Sequence, residues 1–292
     1  MSYIIAGPTA SGKSDFAHAL AARVGGTIIN CDSVQIYRGI EAISASPFAN
    51  RAGTDEIDGV PYKLFSILDL STQISVADYL EMARGAYDAT IATGRVPIFV
   101  GGTGYYINAI LNGISPMPEI DADVRARARE MVASDPNGAR QILGPNAPAD
   151  PQRMSRALEV LLQTGRPISD FQSAPRVGAI VPRPRVILIS PDTADVHERI
   201  AARIPKMLDA GAAQEARTIL ENKWDETRAI GAMQLCEYLR GNISRDACIE
   251  NWITKTRQYA KRQRTWFRTQ LHADITLNGD EEIAAVLSGQ TL

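Results

Sequence analysis

Apolar and polar positions in the first third of the chain follow two different periods. Three short continuous apolar runs, Tyr3-Ile4-Ile5-Ala6, Thr27-Ile28-Ile29-Asn30-Cys31 and Pro97-Ile98-Phe99-Val100, have the length and composition of strands buried on both faces. Between them, Asp15 to Val24 and Val76 to Thr93 carry apolar residues at helical spacing, and Tyr105 to Leu111 resumes it. Strand runs alternating with helices predict an α/β protein with a parallel sheet and helices on both faces. Residues from Ile40 to Tyr62, rich in Ala, Ser, Gly and Asp, read as loop.

The texture changes around Gly113-Ile114-Ser115-Pro116-Met117-Pro118, and from there to about Pro184 the pattern predicts helices and no strand. One helix places Val124, Ala128, Met131 and Val132 on one face, with Asp121 or Asp123 as its cap and Arg125, Arg127 and Arg129 on other faces. A second opens with Asp150 as N-cap and Pro151 in the first turn. It sets Met154, Ala157, Leu158, Leu161 and Leu162 on one side, away from Arg153 and Arg156. Arg185 to Ile189 restores a strand. The expected organisation is therefore a core over residues 1–115, an all-helical insertion over 116–184 and the core resumed over 185–292.

The last third is helical. Val196, Ile200, Ile204, Met207 and Leu208 share a face that stops at Gly211, and Pro205 predicts a kink near Arg203. From Asn251 to Arg268 there are six basic residues and no acidic one. Trp252, Tyr259 and Trp266, seven apart, predict a buried stripe, with Arg257, Lys261, Arg264 and Arg268 roughly opposite. No repeat or low-complexity tract appears, and the residues after Asp280 carry no signal.

Composition adds bounds. At 292 residues, 45% hydrophobic and 22% charged, the chain is an ordinary soluble globular protein of about two domains. A net charge of −2 means that any nucleic-acid partner must be met by local basic patches. Cys31, Cys236 and Cys248 form no C-x-x-C pair, which argues against a structural zinc site and favours a reducing compartment. The first glycine-rich loop starts at residue 7, which leaves no room for a signal peptide, and no apolar run is long enough for a bilayer. A cytoplasmic protein without membrane contact is the expectation.

The chemistry begins at Gly7-Pro8-Thr9-Ala10-Ser11-Gly12-Lys13-Ser14, which satisfies G-x-x-x-x-G-K-S/T in full between a strand run and a helix. Glycines let the backbone curl its N–H groups toward phosphate oxygens, and the helix adds its positive end. Lys13 supplies a mobile cation, and the Ser14 hydroxyl is placed for Mg²⁺. The loop predicts a di- or triphosphate ligand without saying which bond breaks.

Asp32 follows the second strand run, where open α/β sheets gather ligands. It reads as a general base, as a turn partner for the Ser33-Val34-Gln35 backbone, or as an acid holding Mg²⁺ through water. Thr103 lies in Gly101-Gly102-Thr103-Gly104, whose glycines alone signal only a tight turn. Arg203, a single helical arginine, reads on spacing as solvated or ion-paired. The basic face from Arg257 to Arg268 reads as a solvated helix face or, with the insertion's arginines, as a grip on a nucleic-acid backbone.

Taken together, these motifs resemble the tRNA dimethylallyltransferase (isopentenyltransferase) family, bacterial type, over nearly the whole chain. The resemblance rests on the phosphate loop and on Asp32-Ser33-Val34-Gln35-Ile36-Tyr37. It extends over Val100 to Tyr106, Asp150 to Val160, and Thr256-Arg257-Gln258-Tyr259-Ala260-Lys261-Arg262-Gln263. It implies a P-loop NTPase-like core and transfer of a dimethylallyl group from its diphosphate to N6 of the adenosine 3′ of certain anticodons, with Mg²⁺. Asp32 matches the family's base, and Thr103 and Arg203 match positions near the diphosphate. Asp32, Ser33, Val34, Gln35, Thr103, Arg125, Gln152, Arg153, Met154, Ser155 and Arg156 match tRNA-contacting positions. The helical insertion would grip the anticodon stem-loop, and a monomer is expected.

The chain departs from the family pattern at Ser44-Ala45-Ser46, Tyr62-Lys63, Ala232-Met233 and Pro205. Three rivals share the loop: an adenylate isopentenyltransferase, a P-loop kinase with Asp32 as base, and a phosphate-dependent RNA-binding switch without chemistry.

Overall fold

The computed structural model describes residues 1–49, 51 and 54–288. Strand β1 (Tyr3–Ala6) leads to α1 (Lys13–Val24), β2 (Gly26–Asn30), β3 (Glu56–Ile57), β4 (Val60–Lys63), α2 (Val76–Ala92), β5 (Val96–Gly101) and α3 (Gly104–Asn112). Helices α4 (Ala122–Ser134), α5 (Pro136–Leu143), α6 (Pro151–Thr164) and α7 (Ile168–Gln172) follow. The chain then forms β6 (Arg185–Ile189), α8 (Thr193–Asp209), α9 (Ala212–Glu221), a short 3₁₀ turn at Glu226–Arg228 and α10 (Ala232–Leu239). It finishes with α11 (Arg245–Gln270), β7 (Ile275–Leu277) and α12 (Asp280–Ser288). Two compact units result: Met1–Leu111 with Ile180–Leu292, and Asn112–Ala179.

In the first unit the sheet runs β3-β4-β2-β5-β1-β6-β7, and every neighbouring pair is parallel except β3 with β4. β1 lies between β5 and β6, with Ile4 opposite both Phe99 and Val186, and is buried along its whole length. The chain leaves β1 for β2 on one side, whereas it leaves β5 for β6 on the other. Connections that diverge in this way open a crevice at the carboxyl ends of β1 and β5, the place where such sheets take ligands. Ile5, Phe16, Leu20, Ile28, Ile98 and Ile187 pack the core beneath it.

Two parts of the sheet escape the apolar pattern. The stretch expected as loop from Ile40 to Tyr62 holds β3 and β4, and β4 joins the parallel sheet with Tyr62 opposite Ile28. Its four residues include Pro61, so neither length nor propensity announces a strand. Positions 50, 52 and 53 of that stretch lie outside the described residues. β7, only three residues long, adds to β6 with Thr276 opposite Leu188. The signal-free end holds α12; residues 289–292 lie outside the described residues.

The second unit is closed at its base by paired hydrogen bonds between Ile114 and Val177, each 2.9 Å, so it begins at Asn112 and ends at Ala179 rather than at 116 and 184. Ala128, Val132, Ala139, Met154 and Leu158 form its core. Asp150 caps α6 by accepting the Arg153 N–H at 2.9 Å, and Gly165 ends the helix with φ 70°. Asp121 stands at the N-cap of α4 but makes no capping bond. Its backbone N–H and carboxylate pair instead with the Gln163 amide, at 3.2 Å each.

Helix α8 continues through Pro205 to Asp209, so the proline does not end it. On α11 the buried residues include Trp252, Thr256, Ala260, Gln263 and Phe267, while Tyr259 and Trp266 are only half-buried. The expected seven-residue stripe fails because a straight helix drifts about 20° per heptad.

Candidate active site

The phosphate loop joins β1 to α1. A Cβ on Gly7 would lie 2.5 Å from the Ile189 carbonyl oxygen, so β6 passes too close for any other residue. Ala10 (φ 62°) and Gly12 (φ 88°) take left-handed conformations that curl the loop, a strained choice for Ala10. The first-turn amides of α1 have no partner inside the helix, and with the helix dipole they form an anion site.

Basic side chains converge on this loop from α8. Arg203 donates through Nη2 to Thr9 Oγ1 at 2.7 Å, and its Nε is buried without a partner among the described residues. Arg199 donates to the Ser11 carbonyl at 3.3 Å. Lys13 Nζ reaches the Pro8 carbonyl at 3.1 Å. Burial draws the Lys13 pKa down to about 8, opposed by the nearby Asp32 carboxylate and reinforced by Arg203. Burial also lowers Arg203, again against Asp32. A buried guanidinium beside an ammonium whose charge burial disfavours suits a site for an anion.

Asp32 stands just past the end of β2. Its Oδ1 accepts the Val34 N–H at 2.9 Å and the Gln35 N–H at 3.4 Å, so the turn-partner role is present. That role engages Oδ1 and leaves Oδ2 outside the turn's hydrogen bonds. Thr103 grips the backbone on both sides of Asp32. Its Oγ1 accepts the Ser33 N–H at 2.9 Å, and its own N–H donates to the Cys31 carbonyl at 3.3 Å. Thr103 thus orients the Asp32 turn.

The loop and the Asp32 turn face one cavity of about 1160 Å³, walled also by Ile43–Ala45, Arg228–Ile230, Trp252 and Tyr259. The Gln35 amide nitrogen donates to the Ser44 and Ala45 carbonyls, both 3.1 Å, and Glu215 accepts the Ala42 and Ile43 N–H groups, both 2.8 Å. These bonds fix the wall next to Asp32. Ser14 and Asp32, both lining the cavity, offer hard oxygen donors suited to Mg²⁺. No cluster of three or more His, Cys, Asp or Glu residues could hold a metal among the described residues. The ion would therefore sit between Ser14, water and the ligand's own phosphate oxygens, so the residues fit it.

Of the tRNA-contacting positions expected in the helical unit, Arg125, Gln152 and Arg153 are exposed and Ser155 and Arg156 half-exposed. Met154, expected among them, is instead 1% exposed in the unit's core, where its side chain serves packing and does not reach an RNA. Arg156 donates to Glu159 at 3.1 Å, which shares its charge with a buried carboxylate. The basic face of α11 is also not wholly solvated. Arg257 donates to the His197 carbonyl at 3.5 Å, and Arg264 to the Pro191 carbonyl and Thr193 Oγ1 at 3.0 and 2.8 Å, while Lys261 and Arg268 are exposed.

Arg199, Glu215 and Gln263 have no role of their own in the sequence reading, and Gln263 is the most deeply placed. Gln263 accepts the Thr9 N–H and donates to the Gly102 carbonyl, both at 2.8 Å, and is 6% exposed. Its signal was legible: a glutamine in helical register with buried Thr256, Ala260 and Phe267 must satisfy its amide inside the fold.

A parallel sheet whose first strand feeds this loop, with a carboxylate lining the same cavity, defines a P-loop-type α/β protein. Residues 35–270 match the IPP transferase family and residues 1–56 the isopentenyl transferase family. A tRNA dimethylallyltransferase of Rhodospirillum rubrum is 38% identical, over 99% of this chain and 91% of its own length. A tRNA Δ(2)-isopentenylpyrophosphate transferase from Staphylococcus epidermidis has a crystal structure that matches with TM-score 0.68 and 27% identity, over 99% of this chain and 97% of that one. A eukaryotic dimethylallyltransferase acting on tRNA matches with TM-score 0.75 and 25% identity, over 99% and 76%. The chain belongs to the IPP transferase family.

Proposed function

We propose that this protein transfers a dimethylallyl group from dimethylallyl diphosphate to N6 of the adenosine 3′ of the anticodon in certain tRNAs, releasing diphosphate. The observation that carries the reading is that Lys13, Arg203 and Asp32 line one cavity of about 1160 Å³. Pockets for one small ligand span roughly 300–1,000 Å³, so there is room for a donor and an incoming base together. The relatives named above support the reaction.

The C1–O bond of the donor breaks while a bond forms from N6 to C1. Negative charge grows on the departing diphosphate, and the loop amides, Lys13 and Arg203, which line the same cavity, stabilise it. Ser14 would hold Mg²⁺, which would supply further neutralisation of the diphosphate oxygens. The adenine amine is a poor nucleophile until its proton is accepted, and Asp32 Oδ2 takes that proton. The adenosine must leave its stack to enter the cavity.

Binding of the anticodon stem-loop falls to the helical unit, through the exposed Arg125, Gln152 and Arg153, with Ser155 and Arg156 beside them. Ser33, Val34 and Gln35 contact the acceptor nucleotide beside Asp32. The protein acts as a monomer in the cytoplasm; no helix among the described residues is long and apolar enough to cross a membrane.

The test mixes the protein with dimethylallyl diphosphate, unmodified tRNA, AMP and ATP, and follows which acceptor gains mass. Prenylated tRNA with ATP untouched is expected. Prenylated AMP, a consumed γ-phosphoryl group, or no turnover with tight RNA binding would instead select one of the rival chemistries.

A further inference from the structure

Two halves of the reaction meet in this site, and the chain joins them by a route that passes through one side chain. The phosphate loop follows β1, and the Asp32 turn follows β2, which is separated from β1 by β5. Thr103, after β5, fixes the backbone on both sides of Asp32. The residue before it, Gly102, accepts from Gln263 Nε2 at 2.8 Å, and Gln263 Oε1 accepts from the Thr9 amide at 2.8 Å. Thr9 is held a second time by Arg203. A Cβ at Gly102 would lie 2.3 Å from Gln263 Nε2, so the turn is shaped to admit this amide.

We propose that Gln263 is a positioning residue that sets the separation between the phosphate loop and the Asp32 turn, and with it the reach of Asp32 to the acceptor amine once the donor is seated. A carboxamide suits the task because it carries one acceptor and a donor in a single rigid plane. A glutamate lacks the donor, a lysine the acceptor, and a leucine both. The loop offers an N–H and the turn offers a carbonyl, which fixes the orientation of the amide. Because Thr9 N–H is occupied by Gln263, the donor diphosphate is held by the other loop amides, and Gln263 acts on geometry rather than on ligand charge. Misplacement of reacting groups by about 1 Å can cost about 100-fold in rate, so losing this bridge is felt in turnover more than in binding.

The kinetic consequence rests on the prenyl-transfer reading, whereas the bridge itself does not, and the experiment separates the two. Backbone hydrogen exchange is measured over the phosphate-loop peptide in the wild type, Gln263→Leu and Gln263→Glu. Steady-state kinetics with dimethylallyl diphosphate and tRNA run in parallel. Gln263→Leu is expected to exchange its Thr9 amide at least about tenfold faster and to lower kcat about 10- to 100-fold, with both KM values within about threefold. In Gln263→Glu a protonated carboxyl can both accept and donate, and burial raises its pKa. Its kcat relative to the wild type is therefore expected to climb as pH falls from about 8.5 to about 6, a rescue that a packing role would not give.

Unchanged exchange at Thr9 would overturn the bridge. A loss confined to KM, or a Gln263→Glu ratio flat across pH, would overturn its positioning role. If Gln263→Leu does not fold, the Gln263→Glu profile decides alone. A wild type that transfers no prenyl group removes the proposed function, while the exchange result still decides the bridge.

Discussion

Raising the pH from 7 to 9 isolates the contribution of the Lys13 charge to anion binding at the phosphate loop. Lys13 has its pKa drawn to about 8, so its ammonium is about 90% populated at pH 7 and about 10% at pH 9. An anion that binds only the protonated form raises the pKa of Lys13, so affinity is full below pH 8 and is lost as pH rises through that value. Between pH 7 and pH 9 the loss is about tenfold, or about 1.4 kcal/mol. Sulfate is the probe, because its own charge is constant over this range. Its dissociation constant is read by amide chemical-shift titration of the wild type and of Lys13→Arg, whose guanidinium stays charged throughout. The wild type should weaken about tenfold and the arginine variant by less than about twofold. Equal behaviour of the two proteins, or no change in the wild type, would refute the assignment of the perturbed charge to Lys13.

Asp32→Asn keeps an oxygen for the Val34 N–H and so preserves the turn, but it cannot take a proton. Transfer should fall about 100- to 10,000-fold while sulfate and tRNA still bind, and retained turnover would remove Asp32 from the chemistry. Glu215→Gln replaces one of the two oxygens that hold the Ala42 and Ile43 amides, a loss of about 1–3 kcal/mol. The cavity wall at Ile43–Ala45 should loosen, seen as faster hydrogen exchange there and a higher KM for tRNA. Met154→Ala empties the core of the helical unit and should cost about 2–5 kcal/mol in urea unfolding, against no loss if the side chain served the RNA instead. Arg125→Ala and Arg153→Ala, both exposed, should leave that stability unchanged and flatten the salt dependence of tRNA binding by about one unit each.

The strands and the loop that build the anion site were legible because burial on both faces leaves a continuous apolar run, and because phosphate binding demands a fixed spacing of glycine, lysine and serine. β4 and β7 were not, since three or four residues at the margin of a sheet carry too little pattern to outweigh Pro61 or a short length. The role of Asp32 could be placed but not divided. Its turn bonds and its place on the cavity wall are compatible, since the geometry commits only Oδ1 to the turn. The face of α11 misled most. Spacing by seven suggested an aromatic stripe and an opposite basic face, yet the helix buries Gln263 in the site and ties Arg257 and Arg264 to the start of α8. Arg203 could not be chosen from spacing at all. Its importance comes from tertiary placement against Thr9, 194 residues away.

If the phosphate loop holds a leaving diphosphate, as proposed, a carbon–oxygen bond of the donor breaks. Dimethylallyl diphosphate labelled with a heavy oxygen isotope at the bridge between C1 and phosphorus tests it directly, with tRNA as acceptor. All of the label should appear in the released diphosphate, with prenylated adenosine formed in equal amount. Label retained on a dimethylallyl alcohol, with the phosphoryl group moved elsewhere, would contradict it.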